Sequence, residues 1–187
     1  MGTASGGIAP PVRLDSLRGG WLTPDEAAVW DEFAAMPFSE NVNESDVVAV
    51  FGAAGGGIAA YIRQHHPAHL ILVEEDKDNR HLLEMSWRGA RGVSIINRDP
   101  AQAMAEILDA HLPSVAVLDL AGHMIRPEVI GALVRENESL DILCLRFGEM
   151  TEQARNIDAV LRTWHDGDLR WHARRHYGPL STCLYVR

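Results

Sequence analysis

Apolar positions along this chain fall into short continuous runs, separated by longer stretches where they recur every three or four residues. The runs lie at 47–51, 70–73, 92–96, 114–118 and 140–145. Five apolar residues in a row, as at 47–51, suit a strand covered on both faces, as in a parallel sheet. The intervening periodicity predicts helices over 79–88, 100–111, 127–136 and 152–165, after a helix that opens at the glycines following residue 51. Strands alternating with amphipathic helices indicate right-handed βαβ crossovers and a three-layer α/β sandwich. The ending breaks the alternation. Residues 169–177 read as a half-exposed strand, 177–180 as a turn and 181–186 as another strand. With no room for a helix between them, these two strands must pair antiparallel. The expected fold is therefore an αβα sandwich with a seven-stranded, mostly parallel sheet closed by a C-terminal β-hairpin.

Ahead of the first strand the pattern differs. Residues 1–20 are rich in Gly, Pro and Ala and read as a loose arm. Thr23-Pro24-Asp25-Glu26 is a capping box with proline at the first helical position, so a helix is predicted over 24–36. Residues 37–45 then form a linker. The division expected is a flexible arm (1–20), a helix and linker (21–45) and one Rossmann-type α/β domain (46–187).

Composition narrows the class. At 187 residues, 47% of them hydrophobic and 23% charged, the chain suits a single globular domain with an ample core. No apolar run approaches the ~20 residues that span a bilayer, and the N-terminus lacks the basic start and apolar centre of a secretory signal. Two cysteines, Cys144 and Cys183, make no disulfide framework, and a reducing cytoplasm is the expected location. A net charge of −9 opposes general affinity for nucleic acid.

The chemistry concentrates where the first strand ends. Val47-Val48-Ala49-Val50-Phe51-Gly52-Ala53-Ala54-Gly55-Gly56-Gly57-Ile58-Ala59-Ala60 reads as a buried strand, a tight glycine turn and a helix start. Four glycines let the backbone turn sharply and let a ligand approach it without meeting a Cβ. The first amides of the next helix then face the mouth of the turn. Glu74 ends the second strand, 17 residues after Gly57, close to the ~20 of a ribose-binding acid.

With these motifs in this order, the stretch from Asp46 to Arg187 resembles the class I S-adenosylmethionine-dependent methyltransferases. The resemblance implies that Gly52, Ala53, Ala54 and Gly56 cradle the methionine part of the cofactor. Glu74, or failing it Glu75, would hold the ribose hydroxyls. Asp99, after the third strand, falls near the adenine amino group, although Pro100 behind it makes helix capping an equal alternative. Asp119 ends the fourth strand and faces the crevice. His123 follows it, either as general base towards an acceptor hydroxyl or as a surface histidine. The stretches Val73-Glu74-Glu75-Asp76-Lys77-Asp78-Asn79 and Leu118-Asp119-Leu120-Ala121-Gly122-His123 are similar to the FkbM-type enzymes, which methylate hydroxyls of small molecules or sugars. The family usually has an acid two positions before the first glycine, and this chain has Val50. Either Glu40, Glu44 or Asp119 compensates, or cofactor affinity is weak or lost.

The implied function is O-methylation of a small molecule, with S-adenosylmethionine as cofactor and S-adenosylhomocysteine as product. No metal is expected: His172 and His176, four apart on a strand, would lie some 13 Å from one another by ~3.3 Å per residue. Two rival readings remain, a methyltransferase-like module that binds a partner without catalysis and an NAD(P)-binding oxidoreductase. Against the oxidoreductase, Tyr61 and Tyr177 are followed four residues later by His65 and Ser181, so no Tyr-x-x-x-Lys pair exists. On this reading Gly56→Val abolishes cofactor binding and leaves the fold intact.

Overall fold

In the computed structural model, residues 42–120, 125–147, 155, 170–177 and 180–186 are described, the last two stretches by their backbone alone. The apolar runs form five parallel strands, β1 (Val47–Phe51), β2 (His69–Val73), β3 (Val93–Ile96), β4 (Val115–Asp119) and β5 (Ile142–Phe147). Four helices link them: α1 (Gly57–Arg63), α2 (Lys77–Ser86), α3 (Pro100–Ala110) and α4 (Pro127–Glu136). The strand order is β3-β2-β1-β4-β5, so the chain reverses direction across the sheet between β1 and β4. In open α/β sheets that reversal leaves a crevice at the carboxyl ends of the strands. Extended backbone at β6 (Arg170–Tyr177) and β7 (Leu180–Val186) pairs antiparallel, β7 lying against β5. The β6–β7 register shifts between Trp171 and Ala173, which interrupts the regular alternation at His172. The helix predicted over 24–36 lies outside the described residues, as does that over 152–165 except Arg155.

Side-chain alternation assigns each strand residue to a layer. Ala49 and Phe51, Ile71 and Val73, Ala116 and Leu118, and Leu143 and Leu145 pack with Ala103, Met104 and Ile107 of α3 and Ile130, Leu133 and Val134 of α4. The alternate positions, Val48 and Val50, Leu70 and Leu72, Val115 and Val117, Ile142 and Cys144, pack with Ile58, Ala59 and Ile62 of α1 and Leu83 of α2. Both faces of β1, β2, β4 and β5 are therefore covered, which is why these strands read as largely apolar runs. Cys144 is buried within the second layer. Val50 sits fully buried in that layer too, and an unpaired carboxylate there would cost several kcal/mol. The valine suits its surroundings.

Helix starts follow from capping. Asp76 accepts from the amides of Asp78 and Asn79, so α2 begins two residues earlier than its apolar pattern suggests. Asn137, fully buried, donates to the Pro113 carbonyl at 2.7 Å and ties the end of α4 to the entrance of β4.

At the opposite end of the sheet from the crevice, His69 opens β2. Its ring lies 2.9 Å from the Ser94 hydroxyl and stacks on His111 at 5.5 Å. Burial, then the neighbouring His111 and Arg63, holds its pKa below the ordinary 6.5. His65 is lowered likewise, by burial and by His66. The unfolded chain, with ordinary histidines, takes up these protons first as pH falls. Their contribution is thus intact above about pH 6.5 and lost as pH falls through the lower folded values. In urea unfolding, a His65→Gln/His69→Gln variant should lose less of its midpoint than wild type between pH 7.5 and pH 5. Equal losses would contradict this.

Candidate functional site

Four chain segments end together at the crevice, and on one face of the sheet. Continuing the alternation of the α1/α2 layer, Gly52 follows Val50, Glu74 follows Leu72, Asp119 follows Val117 and Arg146 follows Cys144. The turn after β1 is shaped by three positive φ angles, at Gly52 (77°), Ala54 (47°) and Gly56 (91°). Its amides are largely engaged. Those of Gly52 and Ala53 both donate to the Val73 carbonyl at 3.0 Å, and that of Gly56 donates to Ala53 at 2.9 Å. The Ala54 amide donates to the Glu74 carboxylate at 2.6 Å. The second oxygen of Glu74 accepts from the Asp76 amide at 2.8 Å.

Glu74 is therefore a buried bridge between the glycine turn and the start of α2. Each carboxylate oxygen has accepted one hydrogen bond, and a carboxylate offers about four acceptor positions, so capacity remains for a vicinal diol. Glu75 and Asp76 lie beside it and are exposed.

The two glycines of the turn differ in what surrounds them. A Cβ on Gly55 would meet nothing within 4 Å, and that residue is exposed. A Cβ on Gly56 would come within 2.9 Å of Leu83 Cδ2 and 3.3 Å of Trp87 Nε1. Gly56 thus permits α2 to pack against the turn, whereas Gly55 leaves its outer surface open. The left-handed φ and the close contact with Leu83 and Trp87 both call for glycine at 56.

Asp119 and Arg146 face each other in register across β4 and β5, and the guanidinium donates directly to the carboxylate. Their side chains are 9% and 12% exposed, so this is a desolvated ion pair and not a surface one. The Leu120 amide also donates to the Arg146 carbonyl at 2.7 Å. Arg146 escaped the sequence reading because the fifth strand was ended at Leu145. The signal that singled out Asp119, a charge closing an apolar run, applies equally to Arg146.

Asp99 caps α3, accepting from Ala101 and Gln102 at 2.9 and 3.2 Å. Its carboxylate is exposed beyond the end of β3. Glu44 is exposed ahead of β1, while Glu40 and His123 lie outside the described residues. Among the described residues no group of three or more His, Cys, Asp or Glu side chains is placed to hold a metal ion. Nor is any described helix long and apolar enough to cross a membrane.

No protein-family model and no curated protein matches the sequence. Solved structures do match its shape, and the fold they share with it is that of the class I S-adenosylmethionine-dependent methyltransferases. Fibrillarin from Aeropyrum pernix, determined with natively bound S-adenosyl-L-methionine, superposes with a TM-score of 0.61 at 18% identity, over 83% of this chain and 74% of that one. The precorrin-6y C5,15-methyltransferase of Geobacter metallireducens gives 0.63 at 13% identity, over 82% and 86%. The Methanococcus jannaschii fibrillarin, a pre-rRNA processing protein, gives 0.61 at 12% identity, over 81% and 69%. At these identities the likeness is one of fold.

Proposed function

We propose that this chain is a methyltransferase that binds S-adenosylmethionine in the crevice between β1 and β4 and modifies an oxygen of a small acceptor. The observation that carries this reading is Glu74, a buried carboxylate at the end of β2 that grips the glycine turn and retains acceptor capacity. The open surface at Gly55 leaves room for a ligand to lie along the turn. Bound there, the cofactor would supply a methyl group already activated by its positive sulfur. The chain's own task is then alignment of the acceptor and exclusion of water.

In this reading Glu74 takes the ribose, with Glu75 as the second choice, and residues 52–56 seat the methionine end. Asp99, although it caps α3, lies past β3 where the adenine would be. Residues 21–45 cover the acceptor, and His123 is the candidate base. The sheet is the full seven-stranded one with a reversed last strand; the antiparallel pairing of β7 on β5 supports this.

An RNA acceptor is the second reading. It is favoured by the fold shared with a pre-rRNA processing protein and opposed by a net charge of −9.

Calorimetric titration with S-adenosylhomocysteine tests the proposal. Saturable binding is expected. Heats indistinguishable from dilution at millimolar ligand would favour a non-catalytic module, and a change of NADH fluorescence would instead favour the oxidoreductase.

A further inference from the structure

The Asp119–Arg146 pair holds more than a fold requires. Asp119 ends β4 and Arg146 is the penultimate residue of β5, and Asp119 follows the Phe51–Leu118 register pair, where β1 gives way to the turn. Desolvating two opposite charges costs several kcal/mol per ion, so such a pair is weak evidence for stability and calls for another reason. The pairing is also incomplete. Arg146 Nε is buried with no hydrogen-bond partner among the described residues, a state that buried donors seldom keep.

These features constrain what the pair can receive. A simple anion drawn to the guanidinium would leave the Asp119 charge less compensated, and a simple cation would do the same to Arg146. A ligand carrying both charges on adjacent atoms compensates both at once. An α-amino acid end has that chemistry: its ammonium complements Asp119, and its carboxylate offers the acceptor that the guanidinium lacks. We infer that Asp119 and Arg146 together read the zwitterionic amino acid end of the ligand lying on the glycine turn. This rests on the methyltransferase reading and assigns its amino acid recognition to β4 and β5. It also accounts for a wholly apolar environment at Val50, since the acid that meets the ammonium stands one strand away.

Two probes separate this role from a structural one. S-adenosylhomocysteine carries the amino acid end, whereas 5′-methylthioadenosine lacks it and keeps the nucleoside and sulfur. Both are titrated calorimetrically into wild type, into Arg146→Gln, and into the double variant Asp119→Asn/Arg146→Gln, which keeps a neutral hydrogen-bonding pair. Affinity for S-adenosylhomocysteine should fall about tenfold or more in both variants, the scale of one lost charge-assisted contact. Affinity for 5′-methylthioadenosine should stay within about twofold. Equal losses for the two compounds, or no loss for S-adenosylhomocysteine in a double variant with wild-type melting behaviour, would overturn the assignment. Failure of wild type to bind either compound would instead overturn the methyltransferase reading on which it rests.

Discussion

Gly56→Val should destabilise the domain far more than Gly55→Val, although the two glycines are neighbours. At 56 the φ of +91° disfavours any L side chain, and a β-branched one most of all. The new Cβ would also press to 2.9 Å from Leu83 Cδ2, a side chain fully buried in the α1/α2 layer. Left-handed strain and overpacking of about 1–3 kcal/mol combine to a loss on the order of 2–5 kcal/mol, a large share of a domain's stability. Valine at 55 meets open space, so its urea midpoint should match wild type while affinity for S-adenosylhomocysteine collapses. The sequence alone suggested that Gly56→Val would spare the fold. The packing of α2 against the turn overturns that expectation. A Gly56→Val midpoint equal to that of Gly55→Val would contradict this account.

Glu74→Ala should have the second large effect, on stability and on binding together. It strands the Ala54 and Asp76 amides that the carboxylate now accepts from. An unsatisfied donor shielded from water costs about 1–3 kcal/mol, less at the exposed Asp76, and Ala54, held at a φ of +47°, would lose the partner that fixes it there. A fall of about 2–4 kcal/mol in unfolding free energy is expected, with loss of any ribose contact besides. Glu74→Gln keeps one acceptor oxygen and should lie between alanine and wild type. An unchanged urea midpoint in Glu74→Ala would show that the bridge does not hold the turn.

How far these effects could be foreseen differs from residue to residue. The strands were legible because the central ones are covered on both faces and therefore show mostly apolar runs, as in β1 and β4. Helix boundaries were less so, since Asp76 starts α2 through a local side-chain cap that no periodicity reveals. Glu74 could be found by its place at a strand end. Its grip on the Ala54 amide could not, because that depends on how a turn 20 residues away closes in space. A string of glycines likewise gives no sign of which one faces a neighbouring helix and which faces solvent. Arg146 was within reach, one residue past an apolar run, but a charge beyond a strand reads by default as the start of a loop. Only the β4–β5 register brings it to Asp119.

The central claim is that a nucleoside-bearing ligand lies across the strand ends between the glycine turn and Glu74. A crystal structure of the protein with S-adenosylhomocysteine tests it most directly. The account predicts ribose hydroxyls within hydrogen-bonding distance of Glu74 or Glu75 and the amino acid end over Gly52 and Gly55. Density for the ligand elsewhere, or a crevice still closed by protein side chains at saturating ligand, would contradict it.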